Sequence, residues 1–143
     1  MTDALLNILL VEDSPADAAL VREQLRDAPA FQCRIAHAER LGYAVTACTS
    51  SQEALGLFQT SPHNFDLVIT DYTMPHMTGE SLAQAFRQLR PDIPIILTTG
   101  FSPMAPEQAQ AFGIDTVLSK PWMARDLART IQRVLAERRS EHV

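Results

Sequence analysis

Short, mainly apolar runs of strand length recur along the chain, at 7–11, 67–69, 94–98 and 116–119, each followed by polar residues or glycine. Continuous runs of this length, as opposed to alternating ones, suit strands covered on both faces. A further strand is predicted over 43–49, because Ser50-Ser51-Gln52-Glu53 follows it as a capping box. Helical stripes fill the intervals. Ser14 caps and Pro15 opens a helix with Ala18, Val21 and Leu25 on one face, ending near Ala28-Pro29. Ala54, Leu55 and Phe58 mark a second helix, to about Gln59. Leu82, Phe86 and Leu89 mark a third, capped by Thr78 and closed by Arg90-Pro91. Ser102-Pro103 opens a short helix to about Phe112, which Gly113 ends. The last helix gathers Met123, Leu127, Ile131, Val134 and Leu135, with Arg125, Arg129 and Arg133 on a separate, solvated face. Strands alternating with helices predict an α/β fold, a parallel sheet with helices on both faces.

Residues 29–42 break the rhythm. Phe31, Cys33 and Ile35 alternate like a strand, yet Phe31, Ile35, Ala38 and Leu41 also fit a helical stripe. A full extra strand at 31–37 leaves five residues to return down the sheet, a span of roughly 16 Å. This favours an insertion that is a helical or irregular excursion, or a segment exchanged with a second chain.

Composition narrows the classes. A chain of 143 residues reads as a single domain over 1–143, and 46% hydrophobic residues give it a real core. A net charge of −5 argues against a nucleic-acid surface. No apolar run approaches the ~20 residues that span a bilayer, and the start does not read as a secretory signal. Cys33 and Cys48, each among apolar neighbours, read as buried reduced thiols, and the expected location is cytoplasmic. His37, His63, His76 and His142 share no ligand spacing and read as surface residues.

Chemistry gathers where the strands end. The run at 67–69 reaches Asp71, and Pro75 prevents further strand. The other strands end in Glu12-Asp13, Thr99-Gly100 and Lys120-Pro121. In a parallel sheet these ends lie on one edge, where ligands collect. Three carboxylates together repel one another unless a cation intervenes, and hard oxygen donors suit Mg²⁺ better than zinc. A threonine hydroxyl and a lysine opposite the metal hold the oxygens of a phosphoryl group, with Asp71 as nucleophile. Thr98 competes with Thr99 for that role, and the register with Gly100 favours Thr99.

These residues resemble the response-regulator receiver domain of two-component signalling. The resemblance rests on Glu12-Asp13, on Asp71 with Met74-Pro75 and Gly79, on Thr99-Gly100 and on Lys120-Pro121, and it spans 7 to about 138. It implies a flavodoxin-like sheet of five parallel strands in the order 2-1-3-4-5. It implies that Asp13, Asp71 and the Thr73 carbonyl bind Mg²⁺, with Glu12 acting through water. Asp71 is then the acceptor for a histidine kinase or phosphotransfer protein, and Thr99 and Lys120 contact the phosphoryl oxygens. Output is then expected to pass to a downstream protein target, unless the chain is a fragment of a longer kinase, and no nucleic acid, no membrane and no enzymatic turnover of its own are expected.

Two departures stand out. Val117 occupies the place three before the lysine where the family often has Tyr or Phe. The stretch from Asp13 to Leu41 is about a dozen residues longer than usual in the family, and both 31–36 and 43–49 resemble its second strand. That reads as two receiver sequences joined with a repeated strand, as a monomer or a dimer with strand exchange. Two other functions compete: a binding-only module whose insertion disables phosphorylation, and an aspartyl-phosphate phosphatase. The phosphatase needs a second acid two residues after the nucleophile, where this chain has Thr73.

Overall fold

The apolar runs become strands of one six-stranded sheet in the computed structural model, which describes residues 4–12, 16, 19, 23, 32–35, 38–72, 78–99, 106–119 and 124–141. In chain order the strands are β1 (Ala4–Val11), β2 (Gln32–Ile35), β3 (Ala38–Cys48), β4 (Leu67–Asp71), β5 (Ile95–Thr99) and β6 (Thr116–Ser119). The helices are α1 (Ser51–Thr60), α2 (Gly79–Leu89), α3 (Pro106–Ala111) and α4 (Ala124–Glu141). Ala16, Ala19 and Glu23 are also helical and exposed, at the spacing of one helix face. They mark the outer side of the helix expected after Ser14, whose inner residues Ala18, Val21 and Leu25 lie outside the described residues.

The sheet order is β2-β3-β1-β4-β5-β6. Five strands, β3-β1-β4-β5-β6, are parallel and follow the expected 2-1-3-4-5 order. Successive side chains point to opposite faces. Leu9, Val11, Val68, Ile95 and Leu97 pack with Phe58, Leu82, Phe86 and Ala109 of α1, α2 and α3. Ile8, Leu10, Leu67, Ile69 and Ile96 pack with Leu127, Ile131, Val134 and Leu135 of α4. Both faces of the central strands are covered, so both parities are mainly apolar, and the polar side chains buried in β4 and β5 are the threonines Thr70, Thr98 and Thr99. Burying a side chain of this size contributes roughly 1.5–3 kcal/mol.

Local signals close the helices as expected. Thr78 caps α2, its Oγ1 accepting from the Ser81 N–H at 3.2 Å, and Ser50 caps α1. Gly113 has φ +79° just after α3, and the Ile114 N–H returns to the Ala109 carbonyl at 2.9 Å. The described part of that helix is Pro106–Ala111; 101–105, where the expected run from Ser102 begins, lie outside the described residues.

The insertion is not a helical or irregular excursion. Residues 32–35 form a strand antiparallel to β3, with Gln32 opposite Leu41 and Ile35 opposite Ala38. An extra strand need not run the full height of the sheet. Instead β2 meets only the first four residues of β3, while β3 joins β1 continuously from Tyr43 to Cys48. β3 is therefore 11 residues long, and its extra length projects at the amino end of the sheet. Between Ala4 and Leu6 the partner advances from Arg40 to Tyr43, a one-residue bulge at the junction. The 18-residue α4, about 27 Å long, outlasts the five-residue strands and also packs against β2.

Candidate functional site

The ladder register sets the heights of the strand ends. Val11 lies opposite Thr70, so the next residues, Glu12 and Asp71, come level on neighbouring strands about 4.8 Å apart. Asp71 lies opposite Thr98, and Thr99 lies opposite Ser119, the residue before Lys120. All these pairings are parallel, so Glu12, Asp71 and Thr99 share the carboxyl edge. Asp13, Thr73 and Lys120 lie outside the described residues.

Glu12 is 4% exposed, a buried carboxylate, and its N–H extends the ladder to the Cys48 carbonyl at 2.9 Å. Asp71 is half-buried. Thr98 and Thr99 are both buried. The Thr98 carbonyl accepts from the Tyr72 N–H at 2.9 Å, which ties Thr98 into the ladder and leaves Thr99 as the last strand residue at the edge.

Sequence reasoning missed how the peptide after Asp71 is held. The Gly79 N–H donates to the Tyr72 carbonyl at 2.9 Å, and Thr70 Oγ1 donates to the Asp71 carbonyl at 3.2 Å. Tyr72 packs against the core beneath α1 and α2. The Glu80 carboxylate beside its phenol raises the phenol's pKa, by hydrogen bonding first and by charge second. A glycine directly after the Thr78 cap, where a helix former is cheaper, was the available signal of a close approach.

Cys48 ends β3 beside Val11, buried and reduced. Burial, and secondarily the Glu53 charge, raise its pKa to about 11. That makes it packing, not chemistry. The side chain of Cys33 is not among those described. Val117 is half-buried against the core shared with α3. Arg129 and Arg133 are exposed as expected, with Arg133 donating to Thr116 Oγ1 at 3.0 Å. His63 is exposed, whereas His37, His76, His142, Met74, Met77 and Trp122 lie outside the described residues.

Among the described residues, the donors that Glu12, Asp71 and Thr99 bring to this edge are oxygens. Among the described residues no three His, Cys, Asp or Glu side chains come close enough to hold a metal. The third carboxylate of the expected set, Asp13, falls outside them, so Glu12 and Asp71 are the part described, and their chemistry fits a hard cation. No helix among the described residues is long and apolar enough to cross a membrane.

The family model of the response regulator receiver domain matches residues 8–132. The chain belongs to the response regulator receiver domain family. It is 37% identical over 98 residues to the response regulator receiver protein CpdR of Brucella abortus, covering 68% of this chain and 80% of that one. It is 32% identical over 131 residues to the sensor histidine kinase GacS of Pseudomonas protegens, covering 87% of this chain but 12% of the kinase. The sensor kinase CckA of Brucella abortus is likewise 32% identical over 133 residues, 90% of this chain and 12% of CckA. This receiver therefore spans most of one kind of relative and a small part of another. Among solved structures, a CheY-like receiver domain protein from Methanospirillum hungatei superposes with a TM-score of 0.77 at 26% identity, covering 96% of this chain and 99% of that one. The chemotaxis protein CheY4 of Vibrio cholerae gives 0.73 at 31% identity, covering 92% and 99%.

Proposed function

We propose that this receiver takes a phosphoryl group on Asp71 from a histidine kinase or phosphotransfer protein and passes the change to a partner protein. The observation that carries the reading is the register that brings Glu12 level with Asp71 and ends β5 at Thr99 on the same edge. A carboxylate oxygen of Asp71 attacks phosphorus, the bond from phosphorus to the donor nitrogen breaks, and its electron pair leaves with the imidazole. Asp13, Asp71 and the Thr73 carbonyl are the residues that would hold Mg²⁺, with Glu12 acting through water. When bound, the cation neutralises the charge that accumulates between carboxylates and phosphate. Thr99 and Lys120 are assigned to the phosphoryl oxygens.

The product exchanges one carboxylate charge for a phosphoryl charge of about −1.5 to −2 with three acceptor oxygens. If Thr99 and Lys120 bind those oxygens better in one conformation, populations shift by that difference. Moving 1:99 to 99:1 takes roughly 5.5 kcal/mol. With Val117 in place of an aromatic, helix α3 and strand β6, which pack together, are the proposed reporting face.

The test is incorporation of label from a small acyl phosphate with Mg²⁺ present. Wild type is expected to label and Asp71→Asn to remain unlabelled; an Asp71→Asn protein that labels equally overturns the assignment. The competing reading, a binding-only module disabled by its insertion, is less well supported. β2 pairs with the first residues of β3, roughly 23–33 Å along that strand from Cys48 and the acid edge. Trp122 is the chain's single tryptophan, two residues after Lys120, so its beryllofluoride-dependent quenching, with mass by light scattering, separates a working receiver from a binding-only module or an exchanged dimer.

A further inference from the structure

We propose that Gly79 is a positioning residue for Asp71: the missing side chain at the start of α2 sets where the main chain of the acceptor leaves β4. The inference rests on Asp71 being the acceptor. The φ of Gly79 is not in the left-handed region, so backbone conformation does not demand glycine there. Space does. A Cβ at position 79 would lie 2.6 Å from the Asp71 carbonyl oxygen, 3.1 Å from Tyr72 Cα and 2.5 Å from Leu97 Cδ1.

These contacts differ in kind. Leu97 Cδ1 is the end of a rotatable side chain, whereas the other two atoms belong to the peptide that follows the acceptor. That peptide is held on its other sides. The Tyr72 N–H donates to Thr98, the Tyr72 carbonyl accepts from Gly79, and Thr70 Oγ1 donates to the Asp71 carbonyl. A methyl group at 79 cannot be accommodated by the peptide alone. It separates α2 from the end of β4, or it lifts Asp71 out of level with Glu12. In-line transfer is sensitive to such a shift, since a misplacement of about 1 Å can cost on the order of 100-fold in rate.

The experiment compares wild type, Gly79→Ala, Leu97→Ala and the double variant. It reads labelling by acetyl phosphate at saturating donor, Mg²⁺ affinity by Trp122 fluorescence, and thermal melting. Gly79→Ala is expected to lower the maximal labelling rate on the order of 10- to 100-fold and to weaken Mg²⁺ binding. Leu97→Ala should melt lower yet label at near the wild-type rate. The double variant should keep the rate defect, because the Asp71 contact remains after the Leu97 contact is removed.

Labelling of Gly79→Ala at the wild-type rate overturns the proposal, and so does recovery of the rate in the double variant. If Gly79→Ala alone does not fold, the double variant, relieved of the Leu97 contact, carries the same test. It should label on the order of 10- to 100-fold more slowly than Leu97→Ala, and an equal rate overturns the proposal. A wild type that takes no label overturns the acceptor reading itself, a result distinct from wild-type labelling with an indifferent Gly79→Ala.

Discussion

Arg87→Ala should destabilise the fold while leaving the acid edge intact, because Arg87 joins three elements at the opposite end of the sheet. Its Nε donates to the Gly113 carbonyl, Nη1 to the Pro91 carbonyl and Nη2 to Asp115 Oδ2, each at 2.8 Å. Asp115 Oδ2 also accepts from the Ile95 N–H at 2.7 Å, so the ion pair fastens α2 to the start of β5 and to the turn after α3. Both side chains are 16% exposed, which limits the screening that makes surface pairs nearly worthless. Two neutral-acceptor bonds of roughly 0.5–1.5 kcal/mol each and one ionic bond of about 1.5–3 kcal/mol set a ceiling. After side-chain entropy and partial rehydration, about 2–4 kcal/mol remains, or a melting temperature lower by roughly 6–15 °C. The assay is urea unfolding followed by far-ultraviolet circular dichroism, for wild type, Arg87→Ala, Asp115→Ala and the pair. The double-mutant cycle should return a coupling of at least ~1 kcal/mol. Arg87→Lys should recover little, since an ammonium cannot reach three divergent acceptors with a planar fork. A loss below ~0.5 kcal/mol for Arg87→Ala, or strict additivity in the cycle, refutes the reasoning.

Phe58→Ala should cost about 3–5 kcal/mol in the same assay, because its ring is fully buried, edge-on to Phe86 at 4.7 Å and stacked near Phe65. Cys48, with its pKa raised from 9.0 to about 11, should resist alkylation at pH 8 until the fold is opened by denaturant. A raised folded-state pKa means that this contribution to stability is complete below pH 9 and is lost as pH rises towards 11, a slope that Cys48→Ala should remove. Tyr72 should ionise above the ordinary tyrosine range in an absorbance titration, and Glu80→Gln should lower that midpoint. By the same sign its contribution is complete below the unfolded value near 10 and falls above it.

Much of this protein could be read from its residues because the signals were local. Ser50, Thr78 and Gly113 act within a few positions of themselves, so caps and helix ends are visible in the chain. The unbroken runs ending in Glu12, Asp71 and Thr99 required strands covered on both faces, and parallel pairing then put those ends on one edge. The shared edge depends only on strand direction, which the alternation of strand and helix supplies.

Other features depended on which distant residues meet. Nothing local says that Gln32–Ile35 folds back against Ala38–Leu41 at the amino end of the sheet, since a short apolar segment can satisfy its backbone as helix or strand. Likewise, Gly79 against the Asp71 carbonyl and Arg87 against Asp115 are contacts between separate elements, fixed by packing in three dimensions. Hydrophobic period and capping act over one or two turns, so the order of elements and the chemistry at the strand ends are legible along the chain. The register and the steric seat beneath the acceptor come from packing, because they arise where chain segments far apart compete for the same space.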